Sequence, residues 1–190
     1  MNQILLAAQR LRDGHLVAIP TETVYGLAAD ATSETAVARI FQVKGRPRNH
    51  PLIVHIESSV YLGEWASVIP DFAFKLADAF WPGPMTLILP RSELAQDFVT
   101  GSQDTVGVRI PKHEIALQVI AEFRKLGGHG VAAPSANLFG QVSPTTAQAV
   151  TAELAEQLTE ADMILDGGPC AVGLESTIID CTKSRSEEHT

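Results

Sequence analysis

Short apolar runs rich in β-branched residues alternate along the whole chain with stretches of helical spacing, and this alternation limits the fold more than any other feature. Runs such as 15–19 and 52–56 are too short for a helix and too apolar for a solvent-facing edge strand. We predict strands at 15–19, 24–29, 52–56, 85–89, 105–110, 131–133, 163–165 and 176–179, and helices at 2–13, 34–43, 70–80, 113–126 and 145–158. Strands that alternate with helices predict a single α/β domain with a mixed, mostly buried sheet.

The size of the chain and its cysteine content exclude several classes of protein. With 190 residues, of which 45% are apolar, the chain is long enough for one globular domain. It has no apolar run of the ~18–20 residues that a membrane-spanning helix needs. No basic segment precedes the apolar stretch near the start, so we predict no signal peptide. Cys170 and Cys181 make neither a disulfide framework nor a zinc site, and both fit a reducing compartment as small apolar residues. We therefore expect a cytoplasmic protein that does not engage a membrane.

Residues 35–56 are basic, whereas the chain as a whole is acidic. The 14 Lys and Arg against 22 Asp and Glu give a formal net charge of −8, which disfavours indiscriminate binding to nucleic acids or membranes. Residues 35–56 contain no acid, and their basic and histidine side chains are Arg39, Lys44, Arg46, Arg48, His50 and His55. Cations on a loop stiffened by two prolines are suited to phosphate or carboxylate. The alternative is a solvated helix end that complements the helix dipole, which explains Lys44 but not the cations beyond it.

Two loops place polar side chains where a ligand could bind. Ser135 and Asn137 directly follow a buried strand, and Ser143 precedes a helix, so hydroxyl and amide groups lie where open α/β sheets bind ligands. The alternative is that these side chains only cap backbone groups. The segment 20–27 brings two threonines, a carboxylate and a phenol into one loop, and its alternative is a threonine-rich turn with Tyr25 in the core.

Arg109 lies inside the apolar strand predicted at 105–110. A buried cation needs an anionic partner, which is either a ligand or a protein carboxylate, such as one supplied by the segment Glu175-Ser-Thr177. The chain has none of the patterns G-x-x-x-x-G-K-[ST], G-x-G-x-x-G, H-E-x-x-H or G-x-S-x-G. Any phosphate site is therefore neither a P-loop nor a Rossmann fingerprint, and no Ser or Cys has the recognisable setting of a nucleophile.

From about Ile4 to Asp180 these segments together resemble the YrdC-like family of threonylcarbamoyl-AMP synthases. The motifs that carry the resemblance are Pro20-Thr-Glu-Thr-Val-Tyr-Gly-Leu27, Lys44-Gly-Arg-Pro47 with Pro51-Leu-Ile-Val-His55, Trp81-Pro-Gly-Pro84, Thr105-Val-Gly-Val-Arg109, Ala133-Pro-Ser-Ala-Asn137, Ser143-Pro-Thr145 and Glu175-Ser-Thr-Ile178. Each motif alone is modest, but their number and order make the resemblance specific.

The resemblance implies a single YrdC-like α/β domain, in which a twisted mixed β-sheet with flanking helices surrounds a large concave basic cavity. It also implies a nucleotidyltransferase that joins L-threonine, bicarbonate and ATP into L-threonylcarbamoyl-AMP with release of pyrophosphate. The product serves the threonylcarbamoyl-adenosine modification of tRNA. We expect Mg²⁺ to accompany ATP without a dedicated protein-only site, and tRNA or the downstream threonylcarbamoyl-transferase complex to be a partner.

The resemblance assigns site residues by position. The residues implied around ATP are Lys44, Arg46, His50, Thr105, Ser135, Asn137 and Ser143, and Lys44 and Arg46 are expected to act in catalysis. Those implied around L-threonine are Thr23, His55, Arg109 and Ser176, with the threonine carboxylate as the partner of Arg109. The chain departs from the pattern at Asn49-His50, where many relatives have Asp-Asn.

The end of the chain also departs from the family. Relatives usually continue past the last strand to an Arg-Pro-Gly segment that helps to hold ATP, whereas here residues 184–190 show no apolar pattern. We expect a YrdC-like domain at 1–183 and a non-native or disordered tail at 184–190. The sequence would then be a truncated form of the natural protein. Two other functions stay open: a non-catalytic module that binds RNA on the same basic concave surface, and a carbamoyl-transfer domain of a larger maturation enzyme.

Overall fold

The computed structural model describes residues 2–183 in full and the backbone of 187–189. The helices are α1 Gln3–Arg12, α2 Glu34–Lys44, α3 Leu62–Trp65, α4 Asp71–Phe80, α5 Asp97–Thr100, α6 Glu114–Lys125 and α7 Ala147–Leu154, with a 3-10 turn at Ser59–Tyr61. The strands are β1 Val17–Ile19, β2 Gly26–Asp30, β3 Ile53–His55, β4 Met85–Pro90, β5 Thr105–Arg109, β6 Val131–Ala132, β7 Met163–Ile164, β8 Thr177–Asp180 and β9 Glu187–His189. None of the described helices is long and apolar enough to cross a membrane.

All strands belong to one mixed sheet in the order β7-β1-β2-β6-β3-β5-β4-β8-β9. The pairs β1–β7, β3–β5 and β4–β8 are parallel, and the other neighbours are antiparallel. The predicted α/β class with a mixed sheet is therefore confirmed. The tail prediction concerns residues 184–190, of which 184–186 and 190 lie outside the described residues.

The helix predicted at 145–158 is wrong at both ends. The helix starts after Thr146, because the Thr146 hydroxyl accepts a hydrogen bond from Ala149 N at 3.2 Å and caps the first turn. It ends at Leu154, with turns rather than helix up to residue 158. By contrast, α2 begins at Glu34 as predicted, and Ser33 caps it, since the Ser33 hydroxyl accepts a hydrogen bond from Ala36 N at 3.3 Å.

The two faces of the sheet are covered differently. On one face a large apolar cluster reaches from Leu27 through Val54, Val108 and Leu87 to helix residues such as Ile40 of α2. On the other face a second cluster draws its helix residues from α1 and α6 and packs them on β1, β2 and β6; its members include Leu11, Val17, Val119, Phe123 and Val131. The remainder of this second face belongs to β3, β5, β4 and β8.

That remaining surface carries polar residues because side chains alternate along a strand. Register pairs Ile53 with Gly107 and His55 with Arg109 across β3 and β5, so these four residues share a face. Gly107 also pairs with Ile88 of β4, which extends the surface to the next strand. The apolar residues Val54 of β3, Val106 and Val108 of β5, and Leu87 and Leu89 of β4 enter the large apolar cluster. A histidine and an arginine predicted for the site thus lie side by side on the face opposite that cluster.

Candidate functional site

Lys44, the last residue of α2, is buried rather than solvated. Gly45 ends the helix in the left-handed conformation, with φ +63°, and turns the chain away from the helix axis. The Lys44 ammonium donates to the backbone carbonyls of Ser135 and Asn137, each at 2.5 Å. Burial, and then the nearby Arg46 charge, lower the pKa of Lys44 from 10.5 to about 8. The alternative of a solvated helix end is therefore wrong for Lys44, which is 2% exposed.

Arg46 and His50 flank an aromatic ring that the motifs did not single out. The guanidinium carbon of Arg46 lies 5.9 Å from the centre of the Phe139 ring, and the His50 ring meets the same ring edge-on with centres 5.4 Å apart. Arg46 also donates from Nη2 to Pro51 O at 3.1 Å. Burial lowers the pKa of Arg46. A signal for Phe139 was present, since an aromatic residue two positions after Asn137 is unusual for a polar loop.

The side chain of Asn137 helps to fix the loop that contains Ser135 and Asn137. The Asn137 amide donates to Leu138 O at 2.7 Å and to Gln141 O at 2.9 Å, so the nitrogen of this side chain satisfies backbone groups of its own loop. Its Oδ1 is buried and has no hydrogen-bond partner among the described residues. Ser143 does not cap backbone: its hydroxyl donates to the Glu175 carboxylate at 2.5 Å.

All four side chains predicted around threonine line one small cavity. Thr23, His55, Arg109 and Ser176 surround a volume of about 60 Å³, together with Ser135 and Glu175. Burial, and then the Arg109 charge, lower the pKa of His55 to about 3, so its imidazole is neutral at pH 7. The hydroxyl of Ser176 is held by Thr86 at 2.9 Å. The cavity thus offers one cation, one carboxylate, one neutral imidazole and several hydroxyls.

Arg109 has a protein partner, and it is Glu22 rather than Glu175. The Arg109 Nη2 lies 2.7 Å from Glu22 Oε1 and donates to the Thr23 hydroxyl at 3.0 Å, while Nε donates to Gly83 O at 3.3 Å. Glu22 was visible in the sequence as the acid of the segment 20–27, but only the fold shows that this loop reaches the end of β5. Its residues Glu22 and Thr23 are both buried.

A second cavity of about 260 Å³ lies on the same face of the sheet, lined by Arg46, Thr105 and Gly107 among others. A Cβ atom on Gly107 would come within 3.2 Å of Ile88 Cδ1 and 3.4 Å of Ile53 Cγ1, so the glycine keeps the floor of this cavity open. Ile53 lines both cavities, which are therefore neighbours. The residues Lys44, His50, Asn137 and Ser143 line neither cavity.

In the part of the chain that the structure describes, no group of three or more His, Cys, Asp or Glu side chains could hold a metal ion. Cys170 and Cys181 are both free thiols, and burial raises the pKa of each, to about 11 for Cys181.

Comparison with known proteins finds a family model and several relatives that match most of the chain. Residues 9–188 match the family model Sua5_yciO_yrdC, which carries the description Telomere recombination. The threonylcarbamoyl-AMP synthase of Pyrococcus abyssi is 50% identical over 181 residues, which are 95% of this chain and 51% of that protein. The enzyme of the same name from Bacillus subtilis is 44% identical over 180 residues, 94% of this chain and 50% of that protein.

A solved structure of P. abyssi Sua5 complexed with L-threonine has a TM-score of 0.92 and 48% sequence identity, and the match covers 98% of this chain and 53% of that one. The chain thus spans about half the length of these relatives. The matched residues include both loops and all the strands that form the two cavities. The chain belongs to the Sua5/YciO/YrdC family, which confirms the resemblance seen in its motifs.

Proposed function

We propose that this chain makes L-threonylcarbamoyl-AMP from L-threonine, bicarbonate and ATP and releases pyrophosphate. The observation that carries the proposal is the pair of neighbouring cavities. The smaller one holds Arg109 with hydroxyls and a neutral imidazole, and the larger one is bordered by Arg46. A zwitterionic amino acid fits the first, and an anionic nucleotide fits the second. The names of the relatives from P. abyssi and B. subtilis support the same reaction.

The smaller cavity is suited to threonine. Arg109 would bind the α-carboxylate, since a guanidinium matches a carboxylate in charge and in shape. The hydroxyls of Thr23 and Ser176 would bind the threonine hydroxyl, and the neutral His55 would accept or donate one hydrogen bond without adding charge. When the buried polar groups of a site need a substrate hydroxyl as their hydrogen-bond partner, the site rejects analogues that lack this hydroxyl. The complex of P. abyssi Sua5 with L-threonine supports this assignment.

ATP would occupy the larger cavity and the adjoining loop. Arg46 and Thr105 line this cavity and would bind the phosphates directly. Lys44 adds its charge from the far side of the loop that holds Ser135 and Asn137. His50 and Ser143 would complete the nucleotide site at its rim. Mg²⁺ would be held by the phosphates of ATP and by water, because Mg²⁺ prefers oxygen ligands of this kind.

The proposed reaction needs positioning more than covalent chemistry. The threonine amine attacks the carbon derived from bicarbonate, water leaves, and a carbamate forms. A carbamate oxygen then attacks the α-phosphorus of ATP, and the bond to pyrophosphate breaks. No protein nucleophile takes part. The protein holds mutually repelling anions together, and its fixed cations stabilise the charge that develops in the transition state. The activated carbamate would then serve the modification of tRNA.

Pyrophosphate release tests the proposal directly. Release from ATP should require both L-threonine and bicarbonate, and Arg46→Ala should abolish most of it, whereas Arg12→Ala on the exposed side of α1 should not. Pyrophosphate release that does not depend on L-threonine would refute the proposed reaction. Steeply salt-dependent RNA affinity without such release would favour the RNA-binding alternative, and carbamoyl transfer without threonine would favour the carbamoyl-transfer alternative.

A further inference from the structure

Glu22 ties together the three chain segments that surround Arg109. Its Oε2 accepts a hydrogen bond from Lys112 N at 3.0 Å, on the chain just beyond β5. Its Oε1 contacts Arg109 Nη2 at 2.7 Å. Its backbone carbonyl accepts from Val172 N at 2.8 Å, in the loop that leads to Ser176. One residue, itself 7% exposed, thus joins the loop before β2, the end of β5 and the loop before β8.

The contacts of Arg109 leave one edge of its guanidinium for a ligand. Gly83 O accepts a hydrogen bond from Nε and the Thr23 hydroxyl accepts one from Nη2, while Glu22 Oε1 forms an ion pair with Nη2 at 2.7 Å. Among the described residues, Nη1 has no hydrogen-bond acceptor. Arg109 lines the smaller cavity, whereas Glu22 does not. Glu22 therefore lies behind Arg109 with respect to the cavity, and the unbonded edge of the guanidinium remains for the cavity side.

We propose that Glu22 is a positioning residue for amino-acid binding: it orients Arg109 so that the guanidinium meets the α-carboxylate of the substrate in the smaller cavity. This inference rests on the proposed function, in which that substrate is L-threonine. The physical reason is that a buried guanidinium without a counter-charge turns toward other acceptors or toward water. A carboxylate at Glu22 neutralises Arg109 without entering the space that the substrate carboxylate would occupy.

The other groups near Arg109 cannot replace Glu22 in this role. His55 is neutral at pH 7, and Thr23 offers a hydroxyl without charge. Glu175 lines the cavity itself and is bonded to Ser143. If Glu175 were the counter-charge of Arg109, it would stand in the space where the substrate carboxylate belongs. Glu22 is the one acid that the described residues place in contact with Arg109 on its covered side.

The inference is tested with Glu22→Gln, which keeps the size of the side chain and an acceptor for Lys112 N. Calorimetric titration of the full chain with L-threonine, and separately with ATP, gives the two affinities. We expect Glu22→Gln to weaken L-threonine binding tenfold or more and to change ATP binding less than twofold. Glu22→Asp, which keeps the charge, should recover part of the lost affinity.

The matched control is Asp162→Asn, which removes another ion pair, formed with Arg39 at 2.7 Å and remote from both cavities. It should lower the melting temperature and leave both affinities unchanged. Equal losses of L-threonine and ATP affinity in Glu22→Gln, or unchanged L-threonine affinity, would overturn the role of Glu22. An unsubstituted chain that binds ATP but no L-threonine would overturn the proposed function and this inference with it.

Discussion

Replacement of Lys44 by methionine should change how the stability of the protein depends on pH. In the folded chain, burial lowers the pKa of Lys44 from 10.5 to about 8. In the unfolded chain the ammonium is in water and keeps its ordinary pKa. Between these two values the unfolded state binds one proton more than the folded state, so Lys44 makes the free energy of unfolding rise with pH. One pKa unit corresponds to about 1.4 kcal/mol, so the whole rise is about 3 kcal/mol.

Urea unfolding of the unsubstituted chain and of Lys44→Met, at several values between about pH 7 and about pH 10.5, measures this rise. The quantity to follow is the difference between their free energies of unfolding. Cysteines and tyrosines titrate in both proteins and cancel, and the two hydrogen bonds that methionine cannot donate add a constant. The difference should grow by about 3 kcal/mol in favour of the unsubstituted chain as pH rises. A difference independent of pH would show that the ammonium lies in water and would refute the burial argument.

Three further predictions concern the site and the stability of the fold. Arg46→Ala should lower threonine-dependent pyrophosphate release by roughly a hundredfold or more, as measured by steady-state kinetics, because it removes a fixed charge. Gly107→Val should weaken ATP binding and spare threonine binding in calorimetry, since a Cβ already reaches within 3.2 Å of Ile88 Cδ1 and the added methyls would fill the larger cavity. Burial raises the pKa of Asp162, but the hydrogen bonds that its carboxylate accepts from Arg39, Thr159 and Leu16 lower it by more. The pKa of Asp162 therefore lies well below 3.8. The stabilisation by Asp162 is therefore complete above about pH 4 and lost as pH falls further, and Asp162→Asn should flatten this acid loss in thermal unfolding.

Much of the fold was predictable because its longer elements carry clear periodicity. The helix α2 and the strands β3, β4 and β5 lie where the helical spacing and the apolar runs of the sequence predict them. The helices α3 and α5 were not predicted, since four residues are too few to show a helical period.

The residues that form the site were predictable, but their arrangement in space was not. The motifs pointed to Arg109, His55, Thr23 and Ser176, and the structure brings these side chains to one cavity. Burial of Lys44 was not predictable, because a lysine at a helix end looks solvated until the loop that covers it is known. The contact between Glu22 and Arg109 joins residues 87 positions apart and depends on tertiary structure alone.

The proposed function requires that the two cavities hold two substrates side by side on one face of the sheet. A crystal structure of the chain with L-threonine and a non-hydrolysable ATP analogue tests it most directly. We expect the threonine carboxylate to lie on Arg109 and the phosphates on Arg46, with Ile53 lining both sites. A nucleotide bound elsewhere, for example in the cleft of about 330 Å³ between α2 and α5, with Arg46 turned to solvent, would contradict it.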